Sequence, residues 1–373
     1  MKLANTSMSA NPSIAYFISP HGYGHAARAA GVMEAIHDLD STIRFEIFTQ
    51  VPRWFFEDSF SGAFGYHFLL TDIGLVQRTP LRADIPETVK RLNIFLPFDA
   101  FTMGNLALQI RKLKCDLIIC DIAPMGITVA EKAGVPSLLI ENFTWDWIYQ
   151  GYLEEDARMG EHIGYLKSLF NAATFRIQTE PVCDPCGADL TTLPVSRKNK
   201  TPGYQIRKKL GIPEGSKAIL ITMGGIEEEY NFFEQLAIKG DFYFVIPGAS
   251  RKVTIRDNLV RLPHHSDYFH PDLVNAADAV IGKVGYSTLA EIYCAGIPFG
   301  YVARNRFRES EKLVSFIENR MSGLPISGDQ FFSGDWLSCL PDLLALPRIN
   351  RTEPRGAEQV ARFIHGLIKP GSL

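Results

Sequence analysis

Short runs of uninterrupted apolar residues alternate along this chain with stretches of helical spacing, and that alternation limits the fold more than any other feature. IAYFIS (14–19), FEIFTQ (45–50), YHFLL (66–70), DLIICD (116–121), PSLLIEN (136–142) and FRIQTE (175–180) read as strands. Ala29, Val32, Met33, Ile36 and Leu39 recur at helical spacing between the first two, and the helical stretch from 87 to 114 is interrupted by Pro97. A strand exposed on one side alternates apolar and polar residues. Strands that do not alternate are buried on both faces, which predicts a parallel sheet covered by helices.

After Glu180 the pattern stops. PVCDPCGADLTTLPVSRKNKTPG (181–203) is Pro-rich, polar and then basic, the composition of a linker. A second series follows: KAILITM (217–223), a helix from about 227, DFYFVIP (241–247), LVRLP (259–263), AVIGK (279–283), a helix from about 288, and FGYVAR (299–304). The amphipathic segment EQVARFIHGLI (358–368) closes the chain. A chain of 373 residues is too long for one ordinary core. The expected architecture is therefore α/β, with two Rossmann-like domains facing a cleft, residues 1–195 and 196–373. The last helix is free to pack back on the first domain.

The charge balance narrows the partners. A net charge of −3 gives no electrostatic basis for nucleic-acid binding. Any phosphate must be held by backbone dipoles and a few chosen cations. The opening residues MKLANTSMSANPS have no apolar segment for a secretory signal, and no run of about 18 apolar residues suits a membrane span. A cytoplasmic protein is expected, with peripheral membrane contact left open. Cys183-Asp-Pro-Cys186 is a lone C-x-x-C with no second ligand pair at zinc spacing, so it reads as a turn and no metal site is expected.

In doubly wound sheets ligands sit beyond the carboxyl ends of the strands. The first such loop is Ser19-Pro-His-Gly22-Tyr-Gly24-His25-Ala-Ala-Arg28. Gly22 and Gly24 permit a tight turn, and His25 opens the helix, where a neutral imidazole can take a proton from a hydroxyl. The third glycine of a dinucleotide fingerprint is replaced by Ala27. Asp121 ends its strand and either orients His25 or caps the helix that begins near 126. His21 reads as structural. In the second series, Thr222, Gly224 and Gly225 form a turn whose amides suit a phosphate, though an ordinary βα turn has the same look.

The stretch GKVGYSTLAEIYCAG (282–296) is richer. Gly282, Gly285, Tyr286, Ser287 and Thr288 lie between a strand and a helix start, which offers unpaired amides and about half a positive charge, and Lys283 adds a full one. Glu291 is suited to accept two hydroxyls, as from a ribose. Thr288-Leu-Ala-Glu291 also fits a capping box, in which Glu291 only closes its own helix. Spacing leaves the two open.

Gly-Tyr-Gly-His-Ala-Ala-Arg (22–28), Asn-Phe-Thr-Trp-Asp-Trp-Ile-Tyr (142–149), and Gly-Lys-Val-Gly-Tyr-Ser-Thr-Leu-Ala-Glu (282–291) through Phe-Arg-Glu-Ser-Glu (307–311) resemble GT-B glycosyltransferases. The branch most similar holds the peptidoglycan N-acetylglucosaminyltransferase and the glycosyltransferase-like N-terminal domain of L-arabinokinases. The resemblance implies a nucleotide sugar held mainly by the C-terminal domain. Diphosphate lies against 285–288 and the Thr222–Gly225 turn, ribose on Glu291, and the base near His265 to Tyr268, with Tyr268 or Phe269 stacking on it. It implies a catalytic His25–Asp121 pair and no bound metal or cofactor. Asp38-Leu-Asp40, at the end of the first helix, is expected to be solvated. Glu309 joins the donor site by position, although relatives carry His-Gln or Asp-Gln there, and Lys283 replaces a diphosphate-contacting His. The Gly-Leu-Ser-Ser-Ser loop of the arabinokinase kinase half does not occur in the sequence, so sugar kinase activity is not expected.

The expected function is metal-independent, inverting transfer from a nucleoside diphosphate sugar, a UDP-sugar first, to an unidentified hydroxyl acceptor. The alternatives are hydrolysis or epimerisation of a nucleotide sugar, or non-catalytic nucleotide-sugar binding. Phe143, Trp145, Trp147 and Tyr149 line an acceptor site or pack a core helix.

Overall fold

The computed structural model describes residues 11–79, 82–223, 232–237, 242–304 and 307–369. The chain divides into two compact units, Met1–Arg197 with Pro354–Leu373, and Lys198–Glu353.

The first unit begins β1 (Ser13–Ile18), α1 (Gly24–Leu39), β2 (Arg44–Thr49), α2 (Arg53–Ser59) and β3 (Phe64–Phe68), followed by a small hairpin, β4 (Gln77–Thr79) and β5 (Arg82–Ala83). Then come α3 (Ile85–Phe95), α4 (Ala100–Lys112), β6 (Leu117–Asp121), α5 (Pro124–Ala133) and β7 (Ser137–Glu141). It continues with α6 (Trp145–Gln150), α7 (Met159–Asn171), β8 (Phe175–Thr179) and β9 (Leu190–Thr192). Seven strands form one sheet in the order β3-β2-β1-β6-β7-β8-β9, every pairing parallel. The break at Pro97 is real. Asp84 and Asp99 start the helices on either side of it by accepting the amides of Glu87 and Thr102.

β9 lies inside the segment expected to be a linker. Its three residues, Leu190, Thr191 and Thr192, pair with β8 at the sheet edge, and Leu190 packs against the core.

The second unit contains α8 (Gly203–Lys209), β10 (Lys217–Thr222), α9 (Phe233–Ala237), β11 (Phe242–Pro247), β12 (Thr254–Arg256) and β13 (Leu259–Leu262). After these run α10 (His270–Ala276), β14 (Ala279–Lys283), α11 (Tyr286–Ala295), β15 (Phe299–Val302), α12 (Arg308–Arg320) and β16 (Gly323–Pro325). α13 (Gly328–Ser333), a 3₁₀ turn (Asp335–Cys339) and α14 (Leu340–Ala345) complete it. Its sheet runs β12-β13-β11-β10-β14-β15-β16, parallel except for the antiparallel edge strand β12. Alternate residues of its strands serve two cores. Leu220, Val260 and Val280 pack with Leu273, Leu289 and Ile317 on one face, and Ile219, Phe244 and Ile281 with Phe331 and Trp336 on the other. The helix expected from about 227 begins outside the described residues, which show α9.

The chain ends in α15 (Gly356–Ile368), which joins the first unit. Val360, Ala361, Ile364 and Ile368 complete the core between α1 and the sheet. Asp40, expected to be solvated, instead caps α1 and takes the Lys369 ammonium and the Thr42 hydroxyl. These contacts outweigh burial and hold its carboxyl far below the usual carboxylate range.

In each sheet the strand order reverses beside the first strand of its unit, at β1/β6 and at β10/β14. Such switch points open a crevice beyond the carboxyl ends of the strands. Both motif loops of the sequence lie there.

Candidate active site

At the first switch point, β1 and β6 end side by side, tied by the Ser19 amide to the Asp121 carbonyl at 3.2 Å. His25, the second residue of α1, turns its Nδ1 to Asp121 Oδ1 at 2.9 Å. Gly22 has φ +71°, the left-handed region open to glycine, and makes the turn that feeds this helix. α5 begins at Pro124 with Ala123 as its cap residue. Asp121 is therefore not a helix cap; it is the partner of His25. The residue after it, Ile122, has φ +45°, a costly conformation for a β-branched side chain, so the backbone is strained beside the carboxylate.

Arg28 lies one turn after His25 on the same helix face and is 1% exposed. Its Nε and Nη2 meet the two Asp121 oxygens at 2.9 and 2.6 Å, and its Nη1 donates to Asn142 Oδ1 at 2.8 Å. Burial pushes the Asp121 carboxyl up, but the Arg28 charge and the hydrogen bonds from His25 and Arg28 outweigh it and hold the group below its ordinary value. An ionised carboxylate only accepts, so Nδ1 carries a proton, and in the neutral imidazole the lone pair lies on Nε2. Arg28 Nη2 also lies 3.4 Å from Nδ1, but two donors do not bond, and the shorter contact to Asp121 decides the tautomer.

A second carboxyl stands behind this pair. Asp72 is buried and accepts from Ser19 Oγ at 2.9 Å and Trp145 Nε1 at 3.2 Å. Burial pushes its carboxyl up to about 7, against both hydrogen bonds, and the Asp121 charge adds to the rise. The Trp145 ring packs edgewise on His25, 6.4 Å between centroids, and on His21 at 5.0 Å. His21 Nε2 meets the Leu75 carbonyl at 3.1 Å, a structural role. Phe143, Trp145, Trp147 and Tyr149 are all buried, and the Tyr149 hydroxyl donates to the Gly74 carbonyl. Phe143 and Trp145 pack edgewise on His25, and the burial of all four leaves no open acceptor surface among them.

At the second switch point α11 begins at Tyr286, two residues earlier than its pattern predicts, with Gly285 as a cap residue that offers no side-chain acceptor. Tyr286, Ser287 and Thr288 fill its first three positions. Thr288 is thus inside the helix, and the capping-box alternative fails. Glu291, 5% exposed, reaches across to α10, where His270 Nδ1 lies 2.7 Å from its Oε2. Lys283 ends β14, half-buried. Gly282 pairs with Thr222, and a Cβ there would overlap the Thr222 carbonyl, so this glycine serves the sheet. At Gly285 a Cβ would meet open space.

The remaining predicted residues are more dispersed. His265 is exposed, and Tyr268 packs on the core edge with its hydroxyl 3.4 Å from the Lys209 carbonyl. Phe269 carries Lys200 over its ring at 4.9 Å. Glu309 is buried at the start of α12, with Arg304 Nη2 3.5 Å from its Oε2. Gly224 and Gly225 lie outside the described residues. Among the described residues no group of three or more His, Cys, Asp or Glu is placed to hold a metal. Cys183 is buried and Cys186 exposed. No described helix is long and apolar enough to cross a membrane.

No family model matches the chain. It is 25% identical over 358 residues to L-arabinokinase of Arabidopsis thaliana, covering 94% of this chain but 34% of that protein, so it spans about a third of its length. It is 21% identical over 274 residues to the uncharacterized glycosyltransferase MK0977 of Methanopyrus kandleri, covering 69% of this chain and 78% of the other. Among solved structures it is similar to a UDP-glucosyltransferase from Polygonum tinctorium, with TM-score 0.65, 11% identity and coverage of 97% and 100%. It is also similar to Acinetobacter baumannii MurG, with TM-score 0.55, 13% identity and coverage of 95% and 99%. At these identities the likeness is one of fold, and the fold is GT-B.

Proposed function

We propose that this protein is an inverting glycosyltransferase that moves a sugar from a nucleoside diphosphate sugar, in the first instance a UDP-sugar, to a hydroxyl acceptor. The observation that carries the proposal is the His25–Asp121 pair, locked by Arg28 at the switch point of a GT-B fold. His25 Nε2 takes the acceptor proton, and the freed oxygen attacks the anomeric carbon from the face opposite the diphosphate. Asp121 keeps the imidazole in the required tautomer and balances the imidazolium that forms. The diphosphate leaves toward the first amides of α11, with Lys283 adding charge, and Glu291 takes the ribose. The amides and the ammonium would offset part of the leaving group's charge, and the reading calls for no bound metal. In this reading the first unit takes the acceptor and the second the donor.

Two other outcomes share the site. Water in place of the acceptor makes a hydrolase. The likeness to one third of a larger kinase favours a regulatory nucleotide-sugar binder.

One assay separates them: release of nucleoside diphosphate from UDP-, GDP- and dTDP-sugars, with and without hydroxyl acceptors and with a chelator. The proposal expects acceptor-dependent release, unchanged by the chelator, falling on the order of 10²–10⁴-fold in His25→Gln. Release without acceptor identifies a hydrolase, and binding without release identifies a regulatory protein.

A further inference from the structure

His270 opens α10 immediately after the 265–269 stretch, and its Nδ1 lies 2.7 Å from Glu291 Oε2 on α11. The two helices pack together, and the Glu291 side chain is 3% exposed against 25% for His270. With the capping box excluded, α10 supplies a hold on the Glu291 carboxylate from outside its own helix. A carboxylate only accepts hydrogen bonds, so a vicinal pair of hydroxyls needs its oxygens fixed in direction before the ligand arrives. An imidazole N–H on one oxygen supplies that constraint from a neighbouring helix.

We infer that His270 is a positioning residue that aims Glu291 at the hydroxyls of a ribose, and that the pair thereby selects ribonucleotides over 2′-deoxyribonucleotides. The inference rests on the second unit being the donor site. A buried acceptor built for a hydroxyl disfavours an analogue that lacks it, because its acceptor capacity is then left unmet. Discrimination of this kind depends on the acceptor staying in place, which is the contribution of His270.

The test is the dissociation constant, by calorimetry, of UDP, GDP and their 2′-deoxy forms for the wild type, His270→Ala and His270→Asn, with the melting temperature of each. The wild type should prefer the ribonucleotide by about tenfold or more. His270→Ala should weaken the ribonucleotide by about that factor, leave the deoxy form nearly unchanged and so erase the preference. The Asn amide nitrogen occupies about the place of Nδ1 and should restore most of it. If His270→Ala fails to fold, His270→Leu, which fills the site without a donor, takes its place, with the preference lost. Equal weakening of both forms, or a lower melting temperature with the preference intact, overturns the inference and leaves the donor site standing. A wild type that binds none of these nucleotides overturns the donor reading and this inference together.

Discussion

Asp121 accepts from two residues one helical turn apart, His25 and Arg28, and so does two jobs in a dry site. It orients the imidazole, and it neutralises a guanidinium that is itself buried. Removing one member of such a set strands the other's charge, which costs about 3–5 kcal/mol. Arg28→Gln should lose on that order of stability in urea unfolding at neutral pH. Arg28→Gln with Asp121→Asn should lose less than the sum of the single changes; strict additivity would show that the pair is not coupled. Asp72 gives a pH signature of opposite sign. Its folded carboxyl titrates near 7 against the usual 3.8, so its contribution is fully present below about 4 and is lost as pH rises to about 7. Asp72→Asn can keep both hydrogen bonds, accepting from Trp145 and donating to Ser19. It should therefore flatten the fall in unfolding midpoint between pH 4 and 7, and be the more stable protein at pH 8. At this scale the sequence singled out His25 and Asp121, because one follows a strand and the other ends one, and the structure pairs their side chains. Arg28 stood three residues from His25 with a legible spacing but no assigned role. Asp72 and His270 carried no local signal: their partners lie 73 and 21 residues away.

Among the elements, the turn from β14 into α11 separates sheet chemistry from ligand chemistry. Gly282 is fixed by the neighbouring strand, so Gly282→Ala should destabilise the second unit and lower nucleotide affinity with it. Gly285 has an extended backbone and open space where a Cβ would stand. Gly285→Ala should change stability by less than about 0.5 kcal/mol and still weaken diphosphate binding, read by calorimetry beside a melting curve. Unchanged affinity would remove the diphosphate from this turn. The start of α11 was misread by two residues because Ser287 and Thr288 look like caps, whereas the carboxyl end of β14 sets where the helix begins. β9 was missed for a related reason: an edge strand of three residues with a single leucine is too short to show an apolar pattern.

Across the whole molecule, the alternation of apolar runs and helices was enough to predict α/β architecture, since only strands buried on both faces lose their alternation. Which unit the last helix joins was not legible. The amphipathic stripe of α15 fits any apolar groove, and its attachment depends on contacts to α1 more than 300 residues away, such as Lys369 to Asp40. Ile364 is fully buried in that contact. Ile364→Ala should cost about 2–5 kcal/mol in the unfolding of the first unit while nucleotide affinity in the second stays unchanged. The measurement that bears most directly on the proposed activity is calorimetric binding of UDP, GDP and dTDP to the native protein and to Glu291→Ala, with melting temperature as the control for folding. The account predicts that one of the two ribonucleotides binds, that dTDP without its 2′-hydroxyl binds more weakly, and that affinity is lost in a variant that remains folded. No binding by the native protein, with Glu291→Ala changing only the melting temperature, would contradict it and leave the Glu291–His270 pair as a clamp between two helices.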